Sequence, residues 1–442
     1  MATLKENLII SVLKLLDKSK NNKSELKEKA QSEEVMLNIK HVKTLLIQDS
    51  STFVYKNEEE LFQSQTILID LADHLMNYSD EMDEKIRELY YELFTILINR
   101  EEFNLHNMGF DQVAYEYLLN PGSKLIIQKV QSKNKTELKF LSLKMKIGLN
   151  YQNILYDVLL KVLCKFTQKA INIKEKFFTE NFCAIAYFRI PEFRHEFLEC
   201  FFEQNKDQEK LYEVYIDPKK KPIGSASYDW EKNFYKFLKT SPKGVKHLQE
   251  FLKKLDVIEW KTIICKKDPL YFSFLSELCK LVYYQKIVKF HIPWNELPGY
   301  EVLVNSLMLE LKNKSVVHYH KTLKDASKYM LLNEKLLGPF LMIVYKNTKV
   351  YDASAVFHTF DLIDSWLEFL AQEKKTIPTI FDYSFFFKGI KLVLEQDHAI
   401  CIARCIYMIY NNYVFFPTTF RKELCGYFFS GMFFKYISFS KY

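Results

Sequence analysis

Apolar residues recur at every third or fourth position through residues 336–434, and this spacing constrains the fold more than any other feature of the chain. It matches the period of an α-helix and places the apolar residues on one helical face. Asp352 precedes the central run as a predicted N-cap, because its carboxylate can accept hydrogen bonds from free N–H groups of the first turn. The residues of that run are Val356, Phe360, Ile363, Leu367 and Leu370. Helices of this kind must stack to bury their apolar faces.

Similar stripes predict buried faces on two other helices. One stripe contains Ile402, Ile406, Ile409 and Tyr413, in a helix that stops before Pro417. The other contains Phe193, Phe197 and Phe201, in a helix that begins at Pro191. Proline favours the first position of a helix, where no N–H is needed for an internal hydrogen bond. An aromatic stripe at helical spacing indicates core packing.

Glycine and proline are both scarce, with 10 and 11 residues in 442. An average chain of this length would hold about 30 glycines and 20 prolines. Folds rich in tight turns and phosphate-binding loops need glycine for positive φ angles. The sequence therefore predicts an all-α protein, either an armadillo/HEAT-like helical solenoid or an irregular multi-helix bundle.

The chain is predicted to have three parts. Residues 1–204 form an N-terminal helical region, residues 205–243 a linker or long loop with a short helix, and residues 244–442 a helical-repeat-like region. The middle part is polar and carries Pro218, Pro222 and Pro242. The net charge of +7 is uneven, because residues 1–100 carry −5 and the remainder +12. A basic body can attract nucleic acid or anionic lipid, although dispersed lysines usually form solvated surfaces.

No established catalytic or nucleotide-binding motif occurs in the sequence. The Gly-rich phosphate loops, H-E-x-x-H, C-x-x-C and G-x-S-x-G are all missing. The eight cysteines have no regular spacing and most lie among apolar neighbours, which predicts buried free thiols in a reducing compartment. No apolar stretch reaches the roughly 18 residues of a membrane helix, and no signal peptide is evident.

Three groups of residues have the composition of a chemical site, and none is predicted to be one. His318 and His320 would share one face of a strand and could bind zinc, but further ligands are lacking nearby, so exposed histidines are the expectation. Cys401 and Cys405, with His398, suggest a metal or redox site, yet the isoleucines beside them favour buried thiols. Asp361, Asp364 and Glu368 could act as acid and base, but solvation or pairing with lysine is the expectation. No catalytic residue, cofactor or metal is therefore predicted.

One segment has the composition of an RNA-binding site. Residues 219–221 are three consecutive lysines, and Tyr228 and Trp230 follow them. Cations beside exposed aromatic rings are typical of single-strand binding. The rest of the chain offers no similar cluster, so nucleic acid is not the predicted partner.

Three stretches resemble motifs of an uncharacterised family of large helical proteins from fungi, amoebae and other protists, known only as a domain of unknown function. They are residues 186–193 (AYFRIPEF) with the following Phe197-Leu198, residues 350–367, and residues 405–421 with the aromatic run after them. The resemblance implies a helical fold and supplies no activity or catalytic residue. It also implies that relatives continue past the aromatic run, so the chain is expected to be a shortened member.

The function predicted from these features is that of a non-enzymatic, cytoplasmic scaffold or adaptor that binds other proteins through helical surfaces. The alternative is a peripheral membrane or trafficking-associated protein that binds anionic lipid. That alternative would use the basic C-terminal body, the aromatic C-terminal residues, or an N-terminal amphipathic helix at residues 3–18. A third hypothesis, an enzyme with an unrecognised helical active site, would need a pocket where charged residues converge.

Overall fold

A computed structural model of the chain describes residues 10–12, 14, 28–49, 58–78, 84–98, 100–103, 135–166, 173–204, 242–265, 269–284, 294, 297, 299–396 and 398–432. Within these residues the regular elements are helices, and no strand occurs. The predicted all-α class, a helical solenoid or an irregular multi-helix bundle, is therefore confirmed. The predicted linker lies outside the described residues except for residues 242 and 243, and the N-terminal amphipathic helix lies outside them except for residues 10–12 and 14.

The described residues divide into two compact units. The first unit holds the described residues up to 200 together with 242–265 and 281–284; the second holds residues 201–204, 269–280 and those from 294 to 432. The α-helices of the N-terminal half are α1 Glu28–Asp49, α2 Glu58–Tyr78, α3 Glu84–Ile98, α4 Lys135–Phe166, α5 Ile173–Arg189 and α6 Pro191–Gln204. Those that follow are α7 Pro242–Val257, α8 Trp260–Cys265, α9 Pro269–Tyr283, α10 Tyr300–Asn313, α11 Lys321–Met330, α12 Leu337–Asn347, α13 Ala353–Gln372, α14 Tyr383–Leu394, α15 Ala399–Asn412 and α16 Thr418–Tyr427.

In the first unit α4 is the central helix and packs against α2, α5, α7 and α8. This helix runs without a break from Lys135 to Phe166. Gly148 and Asn150 lower helix propensity, but a cost of about 1 kcal/mol per residue is readily offset by packing. Tyr151 and Leu155 are buried and continue the apolar face past these two residues.

The predicted aromatic stripe of α6 is confirmed as core at two of its positions. Phe193 and Phe197 are buried, and their ring centroids lie 5.2 and 6.5 Å from that of Trp260. The side chain of Phe201 is outside the described residues. The helix begins at Pro191, as predicted. Burying aromatic side chains of this size contributes about 2 kcal/mol each to the hydrophobic free energy of folding.

In the second unit α13 is the central helix. It packs most extensively against α15 and also contacts α11 and α12. The predicted N-cap is confirmed, because an Asp352 carboxylate oxygen accepts from the Ala355 N–H at 3.1 Å. Every residue of the predicted stripe on α13 is buried. The Trp366 indole N–H donates to the Ser327 hydroxyl of α11 at 3.0 Å, which satisfies its only polar group.

Helix α10 begins at Tyr300, immediately after Gly299. Gly299 has a φ angle of 71°, a left-handed conformation that glycine adopts without a steric cost. The backbone therefore turns immediately before the helix.

Candidate interaction surface

The three carboxylates predicted on α13 differ in exposure. Asp361 and Glu368 are exposed, whereas Asp364 is buried and faces α15. The Arg404 guanidinium donates to Asp364 at 2.8 Å and to Asp361 at 3.0 Å. The expectation of solvation or pairing with lysine is therefore wrong at Asp364, since its cationic partner is an arginine on the adjacent helix.

Two asparagines complete the environment of Asp364. The Asn412 side-chain amide donates to one carboxylate oxygen at 2.6 Å, and the Asn411 amide donates to the other at 3.2 Å. A buried carboxylate that accepts from one cation and two amides is well satisfied. The group is therefore suited to joining α13 and α15 and poorly suited to exchanging protons with a substrate.

The prediction of buried thiols is confirmed at the two cysteines of α15, but it is wrong at Cys164 of α4, which is exposed. The Cys401 thiol lies 3.4 Å from the Ala353 carbonyl of α13. Burial raises the pKa of both Cys401 and Cys405, so each thiol is held in its unreactive protonated form. His398, the N-cap residue of α15, is exposed and makes no side-chain capping hydrogen bond.

The histidine pair does not lie on a strand. His318 ends a 3-10 turn and His320 precedes α11 as its N-cap residue, and both are exposed. Among the described residues no group of three or more His, Cys, Asp or Glu is placed to hold a metal ion. Residues 219–221, Tyr228 and Trp230 lie outside the described residues, so that RNA-binding hypothesis stays untested.

The buried face of α15 is rotated from the predicted one. The prediction placed Ile406 on it, but Ile406 is 41% exposed. The buried residues are Cys401, Ile402, Cys405, Met408, Ile409 and Asn412. Because α15 is apolar on both sides, spacing alone could not choose between the two faces.

The outward side of α15 forms an apolar groove with α16. The groove has a volume of about 570 Å³. Its lining residues are Ile406, Ile409, Tyr410, Asn411, Tyr413, Val414, Leu424, Cys425 and Phe428. Tyr410 and Val414 are 79% and 86% exposed, so large apolar side chains border a concave surface. We call this surface the α15–α16 groove.

One wall of the α15–α16 groove is held by contacts between the two helices. The Tyr413 hydroxyl lies 3.2 Å from the Cys425 sulfur, and the Arg421 guanidinium lies over the Tyr413 ring. On the inner side Phe420 is buried and its ring centroid lies 5.2 Å from that of Phe416. The groove is therefore supported by a packed aromatic layer.

A smaller cavity lies between α12 and α14. Its volume is about 120 Å³, and Gly338, Met342, Phe381 and Phe385 are among its lining residues. Asp382 also borders it, but its carboxylate accepts from the Phe385 N–H at 2.9 Å and caps α14. This cavity is smaller than most ligand sites, which measure about 300–1,000 Å³.

Neither the hydrogen-bond network around Asp364 nor the α15–α16 groove is predicted from the sequence. Arg404, Asn411 and Asn412 are the polar residues of an otherwise apolar helix, and that contrast is the signal that could have revealed the network. The groove has no such signal, because it depends on which side of α15 remains exposed. No helix among the described residues is long and apolar enough to cross a membrane.

Residues 337–442 match the model of a family described as a protein of unknown function, DUF1765. The match confirms the resemblance to an uncharacterised family, and two of the three stretches on which it was based, residues 350–367 and 405–421, lie inside it. The stretch at residues 186–193 lies outside it. Neither the curated proteins nor the solved structures gave a match to the chain. The matched region includes α13, α15 and the α15–α16 groove.

Proposed function

We propose that the chain is a non-enzymatic adaptor that binds a partner protein in the α15–α16 groove. The observation that carries this proposal is the groove itself, whose volume of about 570 Å³ is bordered by strongly exposed apolar side chains. Exposed apolar surface of this kind marks interaction sites in soluble proteins. Tyrosine is also among the residues that contribute most to binding energy at protein interfaces.

The occupant we propose is an amphipathic helix of the partner. Ile406 and Tyr410 lie four residues apart on α15, Val414 follows in the turn after the helix, and all three border the groove. An amphipathic helix presents apolar residues at matching intervals and commonly binds in apolar grooves between helices. A peptide that binds by adding a β-strand would instead need an open strand edge, and no strand occurs among the described residues.

The surroundings of the carboxylate and thiol groups on α13 and α15 support the proposal that the chain is not an enzyme. The Asp364 carboxylate accepts hydrogen bonds from three side chains. Cys401 and Cys405 carry thiols whose pKa burial raises. The α15–α16 groove is lined mainly by apolar side chains, which suits recognition more than proton transfer. The proposal includes a cytoplasmic location, because free thiols among apolar residues are typical of proteins in a reducing compartment.

Placing two carboxylates in the groove is expected to abolish partner binding. The variant Tyr410→Asp with Val414→Asp should lower recovery of a stoichiometric partner at least about tenfold, because each carboxylate would have to lose water on binding. Both positions are exposed, so the fold should be retained. Quantitative affinity capture of the tagged full chain measures the recovery.

The matched control is Leu37→Asp with Val257→Asp, two exposed apolar positions in the first unit at 70% and 81% exposure. This control changes the net charge equally and should leave partner recovery unchanged. An unchanged set of partners in the groove variant, or an equal loss in the control, would overturn the proposal.

A further inference from the structure

The second unit has one end where four helix termini meet. The Asn347 side-chain amide donates to the carbonyls of Lys314 at 2.6 Å and Leu311 at 3.3 Å, which brings the C-termini of α12 and α10 together. Cys401 contacts the Ala353 carbonyl, so α15 begins beside the start of α13. The segment from α12 to α13 turns at this end and includes Tyr351.

Three exposed lysines belong to the segments that meet here. Lys346 and Lys349 lie at the end of α12, and Lys321 begins α11 shortly after the 3-10 turn that packs against α13. The described carboxylates nearby have structural partners: Glu310 pairs with Lys314 at 2.5 Å, Asp352 caps α13, and Glu395 accepts from the Tyr427 hydroxyl at 3.2 Å. The surface offered to a partner is therefore cationic.

Exposed apolar side chains lie at the same end. Tyr351 is 83% exposed, Ile400 is 63% exposed and Val317 is 38% exposed. Val317 belongs to the 3-10 turn Val316–His318, which packs against α13. Ile400 lies in the first turn of α15, next to Cys401. Exposed lysines and exposed apolar side chains thus occur together at this end of the second unit.

We propose that this surface, the Tyr351 end, binds a bilayer that contains anionic lipid. It is defined by Val317, Lys321, Lys346, Lys349, Tyr351 and Ile400. Lysines near a bilayer are attracted to the negative surface potential of anionic lipids. Tyrosine is favoured at the bilayer interface, where its ring contacts apolar groups and its hydroxyl stays hydrated. A bilayer accepts both features at once.

A bilayer explains these residues better than the other anionic macromolecules do. Nucleic acid would attract the three lysines, but it offers no apolar layer for Ile400 and Val317. An acidic protein would also attract the lysines, yet the described residues of the Tyr351 end do not line either of the two cavities described above, where its apolar side chains could bind. The proposal rests on different residues from the α15–α16 groove, so either can fail while the other stands.

Vesicle co-sedimentation of the full chain tests the proposal. Vesicles of phosphatidylcholine with about 30% phosphatidylserine should bind the protein, and vesicles of phosphatidylcholine alone should bind it far more weakly. The triple variant Lys321→Glu, Lys346→Glu, Lys349→Glu should lower the vesicle partition coefficient roughly 100-fold, because each lysine near an anionic surface contributes about fivefold. Raising the salt concentration should weaken binding by the wild type.

The matched control is Lys335→Glu, Lys374→Glu, Lys388→Glu, which changes the charge equally at three exposed positions of the same unit. It should retain most of the binding. Tyr351→Asp, which alters an apolar contact and adds one charge, should lower binding by about tenfold or more. Circular dichroism of each variant verifies that the helices are intact.

Three results would overturn the proposal. The first is equal binding to vesicles with and without phosphatidylserine. The second is an equal loss in the two triple variants, which would indicate a general charge effect. The third is binding to a 20-nucleotide RNA that matches or exceeds binding to the anionic vesicles and depends on the same three lysines.

Discussion

Replacing Asp364 by leucine should lower the free energy of unfolding of the α13–α15 pair by about 3 kcal/mol. The substitution removes the carboxylate that accepts from Arg404, Asn411 and Asn412. The Arg404 side chain is only 11% exposed, so its charge would remain in a poorly solvated position. The more exposed Asp361 would retain part of the pairing, which keeps the expected loss at the lower end of the range for buried ion pairs.

Hydrogen-exchange mass spectrometry of peptides from α13 and α15 measures this loss locally. Asp361→Leu is the matched control and should cost less than about 1 kcal/mol, because Asp361 is 53% exposed. The double variant Asp364→Leu, Arg404→Leu should be more stable than Asp364→Leu alone, since no buried charge is left without its partner. A double variant that is less stable than the single one would contradict the account of this network.

Gly389→Ala should destabilise the second unit by about 3 kcal/mol, although alanine is the better helix former. A Cβ atom at residue 389 would lie 2.1 Å from Cε2 of Tyr345. The Tyr345 ring has little room to move, because it packs among Phe360, Phe385 and Phe386. Glycine is therefore required here by the close approach of α12 to α14.

Urea unfolding of the full chain measures this effect, and Gly426→Ala is the matched control. Gly426 also lies in a helix, but a Cβ atom there would meet nothing within 4 Å. The control should be neutral or more stable by up to about 1 kcal/mol. Adding Tyr345→Leu to Gly389→Ala should recover part of the loss. A Gly389→Ala variant as stable as the wild type would show that the ring moves aside.

Removing the Tyr345 hydroxyl group tests the packing around this ring in a second way. This hydroxyl is buried without a hydrogen-bond partner among the described residues, and burial raises the pKa of Tyr345. Tyr345→Phe should therefore be neutral or slightly stabilising, whereas Gly389→Ala should not. The contrast would separate the effect of ring volume from the effect of the hydroxyl group.

Much of the helical structure could be predicted from the sequence because its signals are local. The Asp352 cap, the stripe on α13 and the start of α6 each depend on residues within a few turns of one another. The network around Asp364 could not be predicted in the same way. Arg404 lies 40 residues from Asp364, and the pairing depends on how α15 rests on α13.

The buried face of α15 could not be predicted from the sequence either. Ile406 and Met408 are both apolar, yet Met408 is buried and Ile406 is partly exposed. Helical spacing indicates that a face is apolar, but it does not indicate which neighbouring helix covers that face. For that reason the α15–α16 groove, on which the proposed function depends, becomes visible only once α15 and α16 are packed together.

The measurement that tests the proposed function most directly is site-specific photo-crosslinking in cells, with benzoylphenylalanine in place of Tyr410. The matched control places the same group at Leu37, which is exposed in the first unit. The proposed function predicts a discrete adduct with another protein from position 410 that position 37 does not give and that Val414→Asp removes. No protein adduct at position 410, an adduct with lipid alone, or the same set of adducts from both positions would contradict it.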